Sequence, residues 1–361
     1  MYLKAYGKGI FKIAAGVAAA AFTALMIVYA ENGREGAANG IRLCLNALVP
    51  SLFPFMAAVK LLISTDFCAS AGKLLNKPSR LLFGLGGSFA PVFMLSLIGG
   101  YPVGAAGIHS LYSRGELSAE EAKRAALFSV GAGPGFLISF VGLGVYSNAK
   151  TGVYLLIAQS TAAVLLGAGS RFLCRGEFDI SNKEIKSASL PFSQAVTEAV
   201  YSASKAMAVM IGFVVVFCSA NAVLGGAVKS GFLRDALTLT LEVCGGVSEL
   251  SGKLGLDAAA FAIGFGGICV HFQIFAVLGE VRVNKALFFV FRILQGLLTA
   301  LFTRIIITAF PIPAQVFSTQ SRAPGTVYGG SVFSGAMLVA VAVCFLISVK
   351  NLNKSHSLFR R

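Results

Sequence analysis

The chain of 361 residues contains no tryptophan, three histidines and 12% charged residues. Soluble globular domains carry about a quarter charged residues, so this composition excludes an ordinary water-soluble enzyme or binding module. No two of the seven cysteines (44, 68, 174, 218, 244, 269 and 344) form a CxxC pair, and most lie in apolar runs. Scattered thiols and histidines at 109, 271 and 356 do not assemble a metal cage. The thiols read as small buried hydrophobes, and no metal or other cofactor is expected. GxSxG, HExxH, P-loop and carboxylate-rich metal strings are missing. An intramembrane hydrolase would have only His109 and His271 as imidazole bases, and no enzymatic activity is expected. Acidic residues are scarce as well: 15 Asp and Glu stand against 30 Lys and Arg, a net charge of +15. Those cations sit in short loops rather than in a basic domain, which points to cytoplasmic loops of a membrane protein and not to nucleic acid.

What is present is apolar length. The chain is 56% hydrophobic with a mean hydropathy of +0.80, and several runs reach the roughly 20 residues that cross a bilayer. An all-α polytopic membrane protein is predicted, with about eight transmembrane helices and two re-entrant helical hairpins. Residues 1–40 supply a first helix over 10–30, with cleavage as a signal peptide the alternative, and a polar loop over 31–40. The first repeat, 41–175, contains a helix at 41–64 kinked between Pro50 and Pro54, and a basic loop with Lys73, Lys77 and Arg80. A hairpin over 81–112 follows. Next come a helix opened by the Ser118–Glu121 capping box and broken at 131–134, and a helix at 151–173. A polar cytoplasmic linker, 176–195, leads to the second repeat, 196–310, which holds a helix at 196–225 and a hairpin broken at Gly245–Gly246. A broken helix at 257–279 and a helix at 284–309 complete it. Residues 311–361 carry an eighth helix at 331–349 and a basic tail.

The repeats are visible in the letters. Ala125–Pro134 (AALFSVGAGP) aligns without a gap on Ala258–Gly267 (AAAFAIGFGG), and Gly99–Gly100 upstream matches Gly245–Gly246. Glycine- and proline-interrupted segments in corresponding halves mark the binding site of a secondary transporter. The plain alternative is that small residues let helices pack closely. Each half makes three crossings, an odd number, so the second copy is inverted relative to the first. With this arrangement about nineteen of the thirty Lys and Arg share one side, which the positive-inside rule makes cytoplasmic, with both termini there.

Several strings together resemble a known family. They are Pro50–Phe55, Gly99–Ala105, Ala132–Pro134, Leu241–Glu242 and Gly264–Gly267 with His271 and Gln273. This combination resembles the sporulation integral membrane proteins of the YlbJ type (stage V sporulation protein V), within the nucleoside-recognition gate-domain superfamily. The likeness covers about residues 40 to 310. It implies a place in the membrane surrounding the forespore (the outer forespore membrane) during endospore formation, with dipicolinic acid moved from mother cell to forespore. The superfamily's link to concentrative nucleoside transporters implies inverted, hairpin-containing halves. The chain departs from the pattern at Gly99–Gly100, where Ser-Gly is expected, and at Ile268–Cys269, where Leu-Ser is usual.

A site for a planar aromatic dicarboxylate needs anion-stabilising donors and a flat apolar surface. Helix N-termini exposed by breaks supply the donors. The candidates are therefore Gly99, Gly100, Tyr101, Gly104, Gly131, Gly133, Gly245, Gly246, Gly264, Gly266 and Gly267. Tyr101 could stack on the ring or donate its hydroxyl. His271 and Gln273 lie about 200° apart on a helix, so only one of them faces a pathway. Glu242 and Glu249 are candidates for ion or proton coupling, since an intramembrane carboxylate is expensive without a function. The partners expected are a small organic anion, a coupling proton or sodium, the lipid bilayer and, as an open question, a second copy of the chain. Transport of a nucleoside or another small solute is the alternative, and a non-transporting organiser of spore-envelope assembly is the alternative of another class.

Overall fold

A computed structural model describes residues 16–17, 19–65, 67–173, 191–228, 231–253 and 255–312. Among them every regular element is helical. Five helical stretches are long and apolar enough, by length and composition, to cross a membrane: Ala30–Ile63, Ala149–Phe172, Phe192–Ala227, Leu256–Leu278 and Lys285–Ala309. The protein is a polytopic helical membrane protein.

In chain order the elements are α1 (Ala19–Val28), α2 (Ala30–Ile63), α3 (Phe67–Leu74), α4 (Asn76–Phe83), α5 (Phe89–Gly99), α6 (Tyr101–Ser113) and α7 (Ala119–Phe128). The wide-turn helix α8 (Gly135–Val145), α9 (Ala149–Leu173), α10 (Phe192–Ala227), α11 (Phe232–Leu241) and α12 (Val243–Leu250) follow. The last are α13 (Leu256–Phe265), α14 (Gly267–Leu278) and α15 (Lys285–Ala309).

Local sequence fixes many of the ends. The side chain of Ser118 accepts from the Glu121 amide, and the Glu121 carboxylate accepts from the Ser118 amide at 2.8 Å, closing the capping box that starts α7. Pro102 sits in the first turn of α6, where its missing N–H costs nothing. Gly84, left-handed at φ 61°, stops α4. The bonding widens to i→i+5 in Cys44–Leu48 within α2 and throughout α8, a geometry concentrated at functional sites.

Two expectations need correction. The loop expected over 31–40 is helical. Only Tyr29 leaves helical geometry between α1 and α2, and helical bonds from Tyr29 to Leu25 and from Gly33 to Tyr29 (both 2.9 Å) flank it. The cause is a glycine stripe. Gly33, Gly36 and Gly40 face α10, and a Cβ on Gly36 would come within 2.6 Å of the Cys218 carbonyl and of Ala222. Small residues let backbones approach closely, which offsets the polar character of the segment. The basic loop expected around Lys73, Lys77 and Arg80 is likewise two short helices, α3 and α4. Of the linker expected over 176–195, residues 192–195 are already the first turn of α10, and 176–190 lie outside the described residues, as does the eighth helix expected over 331–349.

The two halves are built alike. Gly33 meets Val223, Gly36 meets Ala222 and Gly40 meets Val215, so α2 and α10 run antiparallel. α5 and α6 fold back on each other, with Gly104 against Ser96 and Gly107 against Val92; α11 and α12 do the same, with Gly246 against Leu239. α6 packs on α14 of the other half, and α12 packs on α8 of the other half. α9 and α15, each 25 residues long, pack against one another. Phe83, Phe89, Phe93 and Phe128 stack with ring centroids 5.0–5.8 Å apart and hold the first hairpin to α4 and α7.

Candidate functional site

The hairpin tips and helix breaks meet at the centre. Gly100, at φ 84°, leaves room for the Gly133 amide, 3.3 Å from where its Cβ would be. Gly267, at φ 69°, stands in the same relation to the Val243 amide at the other tip, also at 3.3 Å. Each hairpin tip therefore rests on the break of its own half. A cavity of about 30 Å³ lies between them, lined from the hairpins by Gly99 to Pro102 and by Glu242, Val243 and Cys244. Gly133 and Phe136, Val270 and Gln273, and apolar residues of α2 and α10 complete the lining. That volume holds about one water molecule, so this state has no room for an organic solute.

Four helices begin here. The N-termini of α6, α8 and α14 have no side-chain cap. The N-terminus of α12 is capped by Glu242, whose carboxylate accepts from the amides of Cys244 (3.0 Å) and Gly245 (2.5 Å). Positive helix ends thus surround a cavity containing one carboxylate.

The negative helix ends have a separate partner. Arg292 of α15 is fully buried and donates from Nε to the Phe265 carbonyl at 3.0 Å, and from its two terminal nitrogens to the carbonyls of Val130 and Gly264. These are the last carbonyls before the breaks in both halves, and one planar guanidinium satisfies them together. The face of Tyr101 lies 5.9 Å away, and its hydroxyl donates to the Ile263 carbonyl at 2.6 Å. Gln159 donates to the Ala132 carbonyl at 2.9 Å, and Gln295 donates to the Gln159 carbonyl at 3.1 Å.

The predicted residues fall into groups. Gly99, Gly100, Tyr101, Gly133, Glu242 and Gln273 line the cavity. Gly266 and Gly267 form the break beside it, with Gly266 against Arg292 and Tyr101. Gly104, Gly131, Gly246 and Gly264 serve close packing: a side chain would strike the Ser129 carbonyl, the Gln159 amide, the backbone of Leu239 or the backbone of Gly296, respectively. Gly245 exposes its amide to Glu242. His271 does not reach the cavity. Its Nδ1 meets the Gly267 carbonyl, its Nε2 has no hydrogen-bond partner, and the rings of Phe265, Phe288 and Phe289 surround it. Glu249 is also elsewhere, half-exposed and 3.9 Å from Arg234.

Arg292, Gln159 and Gln295 belong to none of the motifs singled out in the sequence. A signal existed. Each glutamine is the eleventh residue of its 25-residue helix, so extending the repeat past the breaks would have paired them.

No family model matches the sequence and no solved structure matches the fold. Among curated proteins, the sporulation integral membrane protein YlbJ of Bacillus subtilis (strain 168) is similar, 26% identical over 325 residues. The match covers 79% of this chain and 80% of the relative, and so takes in both hairpins and both broken helices. The chain is thus similar, over most of its length, to a sporulation integral membrane protein of the YlbJ type.

Proposed function

We propose that this protein acts in the membrane during sporulation as a secondary carrier of a small organic anion, with dipicolinic acid as the solute. The observation that carries the reading is the meeting of four helix N-termini, drawn from both halves, on one cavity. Such ends attract carboxylates, and discontinuous helices meeting near the midplane are a recurring architecture of secondary transporters. The relative's name supports the membrane and sporulation parts of the reading. The antiparallel pairing of α2 with α10 and the matched lengths of α9 and α15 support two inverted-topology repeats with re-entrant hairpins. Glu242, the carboxylate at the cavity, is assigned the coupling role.

The orientation proposed has both termini cytoplasmic in the outer forespore membrane, following the distribution of Lys and Arg. Reporter fusions at either end test it, and an extracytoplasmic signal from either would reverse that assignment.

The decisive experiment is uptake of labelled dipicolinate into proteoliposomes, with and without a proton gradient and with nucleosides as competitors. Saturable uptake that nucleosides leave unchanged is the expected result. Nucleoside uptake in place of dipicolinate would replace the solute, and uptake of neither would overturn the carrier reading.

A further inference from the structure

The two hairpins occupy equivalent places but are fastened unequally. In the first, eight of the eleven residues of α5 and eight of the thirteen of α6 are buried. Its side chains reach the other half at both ends: Tyr101 donates to the Ile263 carbonyl at 2.6 Å, and the His109 ring bonds the Leu278 carbonyl at 3.2 Å. Between them Gly104 lies directly on the Ser129 carbonyl. Arg292 binds the helix ends beneath this hairpin into one body, bridging carbonyls at 130, 264 and 265.

The second hairpin lacks such anchors. Of the ten residues of α11 only Thr238 is buried, while five of the eight of α12 are. Among the described residues its one side-chain hydrogen bond to another element runs from Thr238 to Asn221 of α10, at 3.1 Å. Its other polar contacts, Glu242 with the Cys244 and Gly245 amides and Arg234 with Glu249, stay within the hairpin and move with it. The outer face is apolar, with Phe232 87% and Leu233 63% exposed. In a bilayer that face meets lipid, and lipid contacts are exchanged for other lipid contacts without loss.

From this asymmetry we infer that the second hairpin, α11–α12, is the moving gate of the cavity, and that the first hairpin, both helix breaks and α15 form the fixed frame. The inference rests on the carrier reading for its purpose. Its physical basis is separate: of the two hairpins that line the cavity, α11–α12 has fewer side-chain bonds to other elements to break. Since Glu242 and Cys244 ride on this hairpin, opening carries the coupling carboxylate away from the uncapped ends of α6, α8 and α14.

Two measurements test the gate without needing a solute. Hydrogen exchange on the unmodified protein in nanodiscs compares amides of 232–250 with those of 89–113, and the second hairpin is expected to exchange about tenfold faster or more. Equal rates, or faster exchange in the first hairpin, would overturn the inference. In a variant keeping Cys244 as its only native thiol, Asn221→Cys and Thr238→Cys are bridged by a short bis-methanethiosulfonate. Maleimide labelling, read by mass spectrometry on the peptide that carries Cys244 so that thiols freed at 221 and 238 do not count, then reports how often Cys244 becomes accessible. The bridge is expected to slow labelling about tenfold, with recovery once it is reduced and the reductant removed. Because the same molecules are compared before and after reduction, misfolding cannot mimic this result. Labelling indifferent to the bridge would mean that the cavity opens elsewhere. If dipicolinate uptake fails while both tests succeed, the solute is wrong and the gate stands.

Discussion

At the scale of single residues, charge at the centre is sorted by helix polarity. Glu242 sits on a helix N-terminus and Arg292 on the C-terminal carbonyls of two helices, each in the field that favours it. Replacing Arg292 by Met would leave three carbonyls without their donor, each at a cost of about 1–3 kcal/mol. The expected outcome is loss of most folded protein, seen as a collapsed monodisperse peak in detergent size exclusion. Tyr101→Phe removes one bond and keeps the ring, so a loss near 1 kcal/mol is expected, measured as a modest fall in melting temperature. Glu242→Gln keeps the shape of the cap and removes its charge. Uptake should vanish while the melting temperature stays close to wild type, and normal uptake by this variant would remove Glu242 from the coupling role.

Among elements, the glycines have two separate roles. Gly36 is a packing position, where any side chain forces α2 off Cys218 and Ala222. Gly36→Leu should abolish folding, while Gly212→Ala, with nothing within 4 Å of the new methyl, should leave thermal stability unchanged. Gly100, at φ 84° against Gly133, belongs to the cavity instead. Gly100→Leu should fill the hairpin tip and abolish uptake, read in the same liposome assay. This division also explains what could be seen in the letters alone. The breaks at 99–104, 131–134, 245–246 and 264–267 were legible because glycine pairs inside apolar runs are conspicuous. The helix at 31–40 was not, because its polar side chains imitate a loop and its stability comes from a face packed against α10, some 180 residues away. The role of Arg292 is not legible in the letters, since its partners are backbone carbonyls, which carry no sequence signature.

For the molecule as a whole, one of the seams between the N-terminal and C-terminal halves runs along α9 and α15. Gln159 and Gln295 stand at the same step of equal-length helices and are joined across that seam. On the proposed reading of two inverted repeats, this seam is a buried surface along which separately made halves would dock. Two co-expressed polypeptides, 1–180 and 181–361, should therefore find one another in the membrane. Co-purification of the second through a tag on the first is the readout. Fragments that never associate would show that the covalent tether, and not the buried seam, brings the halves together.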